Sequence, residues 1–405
     1  MVAQPSWSLP VKTQHLRSWT LAAVAAALLV ACGGSDPYVP GSGSPEGAPT
    51  SKGAFTSVVS FGDSLSDVGA YAPATSLVGG GAPPYFGGKF TTNSATATVW
   101  VENVAATLGL LLTPAEVGFG PGSVKCPAAA NPALAGTCTG YGQGGSRVTD
   151  ANGIGKTTGA LTVPMSTQIA NHLARFTSFK ATDLIVVFGG NNDVFIQAGA
   201  LGAKAAVIQG DAAAGRITVD QANGLLLTAQ LEAQGELKKA ALELSAYIKD
   251  QILAKGGKFV MVWNLPDSSL TPYGSTLPAA SKQSLSGLAD IFNLWLREGV
   301  TGLPVQLVDA NAIFREAYNN PARYGVTNNT FPACDAAKIV AITGGAVTDG
   351  SSLFCNSTAG VPYNGVRDGV DTSTWQFADG VHPTTLGHKV ISDEALRLLR
   401  SYGWL

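Results

Sequence analysis

Four short runs, residues 58–61, 184–188, 259–263 and 305–308, are dominated by apolar β-branched and aromatic side chains. A strand with one wet face alternates polar and apolar residues, so runs without that alternation belong to a sheet covered on both sides. Longer stretches with helical period lie around and between them, at residues 95–108, 219–255, 279–298 and 386–401. In the second of these Leu231, Leu237, Leu242 and Ile248 are expected on one side and the lysines elsewhere. Strands alternating with helices predict an α/β fold, a three-layer α/β/α sandwich around a mostly parallel sheet. With 405 residues, 45% of them apolar, the chain can bury a core of that size. No internal repeat divides it, and residues 54–405 read as a single domain.

The first 53 residues read as an address and a tether. Lys12 and Arg17 precede thirteen uncharged residues, 19–31, which is the order of an export signal and too short for a bilayer span. The run ends in Leu29-Val30-Ala31-Cys32, which resembles the lipobox of bacterial lipoproteins, where the cysteine is lipidated. On that reading residues 1–31 are a lipoprotein signal peptide and 32–53 a Gly/Ser/Pro-rich tether to a membrane. Gly33 and Gly34, in place of an aspartate, point to the outer membrane. An ordinary signal peptide, giving a secreted or periplasmic protein, is the other reading.

Cys126, Cys138, Cys334 and Cys355 remain, an even number in an oxidising compartment. Pairing Cys126 with Cys138 and Cys334 with Cys355 is expected, because each pair closes a short Gly/Pro/Asn-rich loop. Neither CxxC nor HExxH spacing occurs, so no metal or other cofactor is expected. A formal charge of −2 with only 13% charged residues offers no basic face for nucleic acid. Oligomeric state leaves no trace in the sequence.

In "SVVSFGDSLSDVGAY", residues 57–71, the first strand ends in Gly62-Asp63-Ser64. In an open parallel sheet, ligands sit beyond the carboxyl ends of the strands, and a following helix would place Ser64 at its N-terminus. Locally, such a serine fits a helix cap better than a nucleophile. The far end of the chain adds "FADGVHPTTLGHK", with Asp379 three residues before His382. An imidazole accepts a serine proton only when its other nitrogen is held, and a carboxylate three residues away in a turn can hold it. The other histidines are less suited: His15 lies in the leader, while His172 and His388 fall on apparent helices.

Taken together, "FGDSLSD" (61–67), "YGQGGSR" (141–147), "GGNNDV" (189–194) and "DGVHPT" (379–384) resemble, in order, the blocks of the GDSL family of SGNH hydrolases. "NLPDSSLTP" (264–272) resembles a further segment of its bacterial secreted and outer-membrane esterases. The resemblance implies a flavodoxin-like sheet, with Ser64 as nucleophile, His382 as base and then acid, and Asp379 orienting the imidazole. It also implies an oxyanion hole made of the Ser64 N–H, the Gly145 N–H, with Gly144 adjacent, and the Asn192 amide. Gly140 stands where the second block usually opens with asparagine. Only 23 residues follow His382, so an autotransporter barrel is not expected.

Asp63, Asp67 and Asp193 are expected to hold loops or cap helices. No G-x-S-x-G elbow occurs, and "GIGKTTG" (153–159) lacks the first glycine of a phosphate loop. Trp100, Trp263 and Trp295 are expected in the core. The glycine-rich, aromatic segment 72–90 is expected to shape a pocket. These readings favour a serine esterase acting on uncharged acyl esters. A phospholipase or acyltransferase using the same site, and a surface binding protein with a dead site, are the alternatives.

Overall fold

The computed structural model describes residues 55–73, 75, 87–358 and 364–405. Its strands are β1 (Ser57–Gly62), β2 (Glu116–Phe119), β3 (Gly122–Lys125), β4 (Asp183–Phe188), β5 (Phe259–Trp263) and β6 (Gln306–Val308). The longer helices are α1 (Trp100–Thr107), α2 (Met165–Phe176), α3 (Asn191–Ala213), α4 (Val219–Tyr247), α5 (Pro272–Thr276), α6 (Ala279–Val300), α7 (Ala310–Asn319), α8 (Ala336–Ile342) and α9 (Thr385–Ser401). Four strands pair in parallel in the order β1-β4-β5-β6, with Ser57 opposite Asp183, Leu184 opposite Phe259 and Met261 opposite Gln306. The segment Thr139–Tyr141 adds a short rung on the free edge of β1: the Ser60 N–H donates to Thr139 O at 2.9 Å and the Tyr141 N–H to Ser60 O at 2.8 Å. Counted with it, the spatial order is second, first, third, fourth, fifth, the flavodoxin-like order that reverses beside β1.

Period-two alternation divides the sheet between two cores. Val59, Phe61, Ile185, Val187, Val260 and Val262 pack with residues of α2, α4 and α6. Val58, Leu184, Val186, Phe188, Phe259 and Met261 pack with residues of α1 and α9. The three layers expected from the four apolar runs are present, and Gly140 has a local cause. A Cβ there would lie 2.5 Å from Val68 Cγ2 and 3.1 Å from Thr113 O, so the added rung accepts only glycine.

The buried face of α4 differs from the expected one. Ala229, Ala233, Leu237, Ala240 and Leu244 are buried at spacings of four and three, whereas Leu231 is 53% and Leu242 36% exposed. Small residues along the seam let α4 lie close against α6, where a Cβ on Gly299 would come within 2.1 Å of Ser245 Oγ. Alanines therefore carry the contact, and the larger leucines are displaced to solvent. The first expected helix begins at Trp100 and not at residue 95, since Val99 before it is extended at φ −93° and ψ 165°. Helix α3 has no counterpart among the expected elements because Gly199, Gly202 and Gly210 interrupt its pattern. The β2–β3 hairpin, with strands of four residues each, is also additional.

Disulfides join Cys126 to Cys138 and Cys334 to Cys355, as expected. The second encloses a small apolar cluster of Ile339, Val366 and Ala378 around the cysteines.

Two substitutions at α4 test its assigned face by urea unfolding. Leu237→Ala should cost about 2–5 kcal/mol, and Leu231→Ala no more than about 0.5 kcal/mol. Replacing Cys334 and Cys355 together by serine should lower the unfolding free energy by about 3 kcal/mol, the chain-entropy value for a loop of this length.

Candidate active site

The turn after β1 is tied at every point. A Cβ on Gly62 would sit 2.2 Å from Phe188 O, so β1 passes β4 closely enough to require glycine. The Gln168 side chain accepts from the Gly62 N–H at 2.9 Å and donates to Gly62 O at 2.8 Å. Ser64–Ser66 then form a single 3-10 turn and not the expected helix. Asp63 caps it by accepting from the Leu65 N–H at 3.1 Å. Asp67 accepts from the N–H groups of Gly69 (2.9 Å), Ala70 (2.7 Å) and Gly144 (2.9 Å). The helix terminus nearest in sequence to the site residues belongs instead to α3, where Gly190 at φ 121° is followed by Asn191 and Asn192.

From the other end of the chain, His382 reaches this turn. Its Nε2 lies 2.9 Å from Ser64 Oγ, and its Nδ1 lies 2.9 and 2.8 Å from the two carboxylate oxygens of Asp379. Asp379 also accepts from the backbone N–H groups of Val381 (3.0 Å), His382 (2.8 Å) and Ser352 (2.8 Å). The Ser352 donor comes from the lobe stapled by Cys334–Cys355, in which the Cys334 N–H donates to Ala378 O at 2.8 Å. A carboxylate this well supplied keeps the Nδ1 proton on the imidazole and leaves Nε2 free to accept.

Burial and charge pull against each other at this pair. Burial pushes Asp379 up, but the facing imidazole and the N–H donors outweigh it and hold the carboxyl well below its usual range. For His382, burial lowers the value, and the Asp379 charge and hydrogen bond outweigh that to raise it above 6.5. Asp63 and Asp67 are both pushed up to about 6 by burial. Asp193 is raised by burial too, and receives Arg147 Nε at 2.9 Å and the Val148 N–H at 3.0 Å. All three aspartates hold loops, as expected.

The expected donor groups are also gathered here. Gly144 and Gly145 separate clearly in role: the Gly144 N–H is taken by Asp67, while that of Gly145 has no acceptor among the described residues. Gly145 lies at φ +80°, and a Cβ on it would meet Ile154 O at 2.0 Å. The Ser64 N–H likewise has no acceptor among the described residues. Asn192 Nδ2 donates to Ser146 O at 2.8 Å, which fixes the amide and leaves its second N–H. Ser64, Gly145, Asn192 and His382 border one cavity of about 1410 Å³, with Phe119, Phe188, Trp263, Phe314 and Ile391 among its apolar walls.

The remaining candidates fall outside this group. His172 is enclosed by Phe61, Tyr141, Phe176 and Phe179, and burial lowers it to about 4. His388 is fully buried, and burial likewise lowers it to about 4. Trp100 and Trp263 are buried as expected, although Trp263 also walls the cavity. Trp295 is only partly buried, beneath Lys238 Nζ at 3.6 Å. Lys156 is exposed and donates to Leu161 O at 3.0 Å. The leader, the tether and Cys32 lie outside the described residues, as does much of segment 72–90. Of segment 72–90, expected to shape a pocket, the described residues Pro73 and Phe90 line the cavity. Sequence reasoning missed Ser352 and the packing of the Phe90 ring against His382 at 4.7 Å, which only three-dimensional contacts identify.

A family model for GDSL-like lipase/acylhydrolase matches residues 58–395. Esterase EstA of Pseudomonas aeruginosa is 31% identical over 145 residues, covering 35% of this chain and 20% of that protein. An uncharacterized protein in the trpE-trpG intergenic region of Pseudomonas putida is 29% identical over 152 residues, 37% of this chain and 23% of that protein. GDSL esterase/lipase At1g28590 of Arabidopsis thaliana is 25% identical over 171 residues, 38% of this chain and 40% of that protein. The matched stretches thus span less than half of these relatives. The family model, by contrast, covers most of this chain, and the protein belongs to the GDSL-like lipase/acylhydrolase family.

Proposed function

We propose that the protein hydrolyses carboxylic acyl esters through an acyl-enzyme on Ser64. The observation that carries this reading is the unbroken chain from Asp379 through His382 to Ser64 Oγ, with Nε2 to Oγ at 2.9 Å. His382 takes the Ser64 proton as Oγ attacks the ester carbonyl carbon, and returns it to the leaving alcohol oxygen as the tetrahedral intermediate collapses. A water oxygen then attacks the acyl carbon while giving its proton to the same nitrogen, and the bond from Ser64 Oγ to the acyl carbon breaks as His382 returns that proton to Oγ, releasing the acid. Negative charge on the carbonyl oxygen is met by the Ser64 and Gly145 N–H groups and the Asn192 amide, each worth about 3–4 kcal/mol. The apolar cavity walls suit uncharged acyl esters. The names of the Pseudomonas and Arabidopsis esterases support the same reaction class.

A fluorophosphonate should label Ser64, detected by mass spectrometry, and Ser64→Ala should lower kcat on a chromogenic short-chain ester by at least about 10⁴-fold. Labelling of a different residue would overturn the reading. Because the neutral imidazole is the base, kcat/KM should rise as pH increases through a value above 6.5. Asp379→Asn should shift that limb to lower pH and reduce kcat by about 10⁴-fold. Competing alcohols in the same assay separate hydrolysis from acyl transfer, and phospholipid in place of the ester tests the phospholipase alternative.

We further propose export and lipid anchoring at Cys32, supported by the order of basic residues, apolar run, cysteine and tether, and by two disulfides in the domain. Among the described residues no helix is long and apolar enough to cross a membrane. In a bacterial host, radiolabelled palmitate should enter the full chain and be absent from Cys32→Ser, which should leave the membrane fraction. Unchanged fractionation of that variant would rule the anchor out.

A further inference from the structure

Phe90 lies between the two halves of the site and belongs to neither set of reacting groups. Its ring packs on the His382 imidazole, with centroids 4.7 Å apart and planes at 41°. Its far edge meets Gly144, where a Cβ would overlap Phe90 Cζ at 2.1 Å and Cε2 at 2.2 Å. Gly144 is not among the glycines with positive φ, so its backbone does not demand glycine. What excludes a side chain there is the Phe90 ring, with Tyr71 Cε2 next at 3.1 Å. Ring and glycine are thus complementary, and Gly144 immediately precedes Gly145.

Phe90 is itself firmly seated. Its carbonyl accepts from His388 Nε2 at 3.2 Å, and His388 Nδ1 accepts from the Trp100 N–H at 3.3 Å. This fully buried histidine therefore ties α9 to the first residue of α1 and to the backbone of Phe90. On either side, Lys89 Nζ bonds Glu102 at 2.8 Å and Asn93 Nδ2 bonds Ser352 O at 2.9 Å. The second contact reaches the same residue whose N–H supports Asp379.

We propose that Phe90 is a positioning residue: its ring, seated by His388, spaces the His382 imidazole from the Gly144–Gly145 backbone and so sets the base against the oxyanion donors. This rests on the esterase reading above. Without the ring, the imidazole and the glycine loop each gain room to shift, and a displacement of about 1 Å in a reacting group costs on the order of 10²-fold in rate.

The test is steady-state kinetics on a short-chain ester, with thermal unfolding of each variant measured alongside. Phe90→Ala should lower kcat about 10²-fold with KM changed less than about threefold, and Phe90→Met, which refills most of the ring's volume without adding an atom at Cζ, should keep kcat within about tenfold of wild type. Gly144→Ala should also lower kcat, and the Phe90→Leu, Gly144→Ala double variant should lose less than the product of the single losses, because leucine frees space for the new methyl. Wild-type kcat in Phe90→Ala, a loss confined to KM, or independent effects of Phe90→Leu and Gly144→Ala would each overturn the proposal. If Phe90→Ala does not fold, the Leu–Ala cycle decides alone. If the wild-type protein hydrolyses no ester in a Ser64-dependent way, the functional reading fails and the low-field proton resonance of His382 Nδ1 decides the positioning role. Loss of that signal in Phe90→Ala with retention in Phe90→Met would uphold it, and an unchanged signal in both would refute it.

Discussion

Burying the charge of Asp379 is the constraint around which the C-terminal third of the chain is arranged. An isolated carboxylate taken out of water costs far more than a domain's net stability, so it is tolerated only when its oxygens are filled with donors. Here four donors converge: two N–H groups from its own turn, the N–H of Ser352 and the imidazole of His382. Ser352 could not be held there by a short connection. It is carried by the lobe between Cys334 and Cys355, whose first residue donates its N–H to Ala378 O immediately before the aspartate, with Ala333 just ahead of it donating to Phe377 O. The staple and the lobe's small apolar cluster are thus linked to the charge state of the carboxylate that holds the His382 imidazole.

A second buried carboxylate performs the matching task on the donor side. Asp67 gathers N–H groups from its own turn and one from Gly144. By occupying Gly144 it decides which of two adjacent glycine amides remains available, and the left-handed turn at Gly145 re-aims the chain directly afterwards. Because Ser64 and Asp67 share one short turn, any movement of that turn shifts the hydroxyl and the glycine loop together. Backbone donors at the ends of neighbouring parallel strands are natural anion sites, and the order reverses beside β1, where Ser64 emerges.

How much of this was legible in the sequence depended on the range of the interaction concerned. The apolar runs around Val58, Leu184 and Phe259 announced strands because both of their faces are buried. Asp379 and His382 were legible because their bond is local, three residues apart. The face of α4 misled because size and apolarity pointed to Leu231 and Leu242, while close helix packing selected the alanines. A helix after Ser64 was expected from its cap-like sequence, yet Asp67 draws its backbone donors away within one turn. The specific contacts of Phe90, His388 and Ser352 were invisible because each reaches a residue far away in sequence. His388 and Phe90 are 298 positions apart.

The same long range governs how the site forms. Ser64 and His382 are separated by 318 residues, so their hydrogen bond cannot reward folding until the chain between them is in place. The element that delivers His382 is α9, whose Ala395, Leu396, Leu398 and Leu399 are buried in the core shared with α1. His388 on the same helix bonds the first residue of α1 and the carbonyl of Phe90. Docking of α9 therefore does three things in one event: it closes the apolar layer over the sheet, brings the His382 imidazole to the Ser64 hydroxyl and seats the Phe90 ring beside that imidazole. A local opening of α9 would undo all three together, which couples the integrity of the Asp379–His382–Ser64 geometry to the packing of a helix whose buried contacts are chiefly apolar.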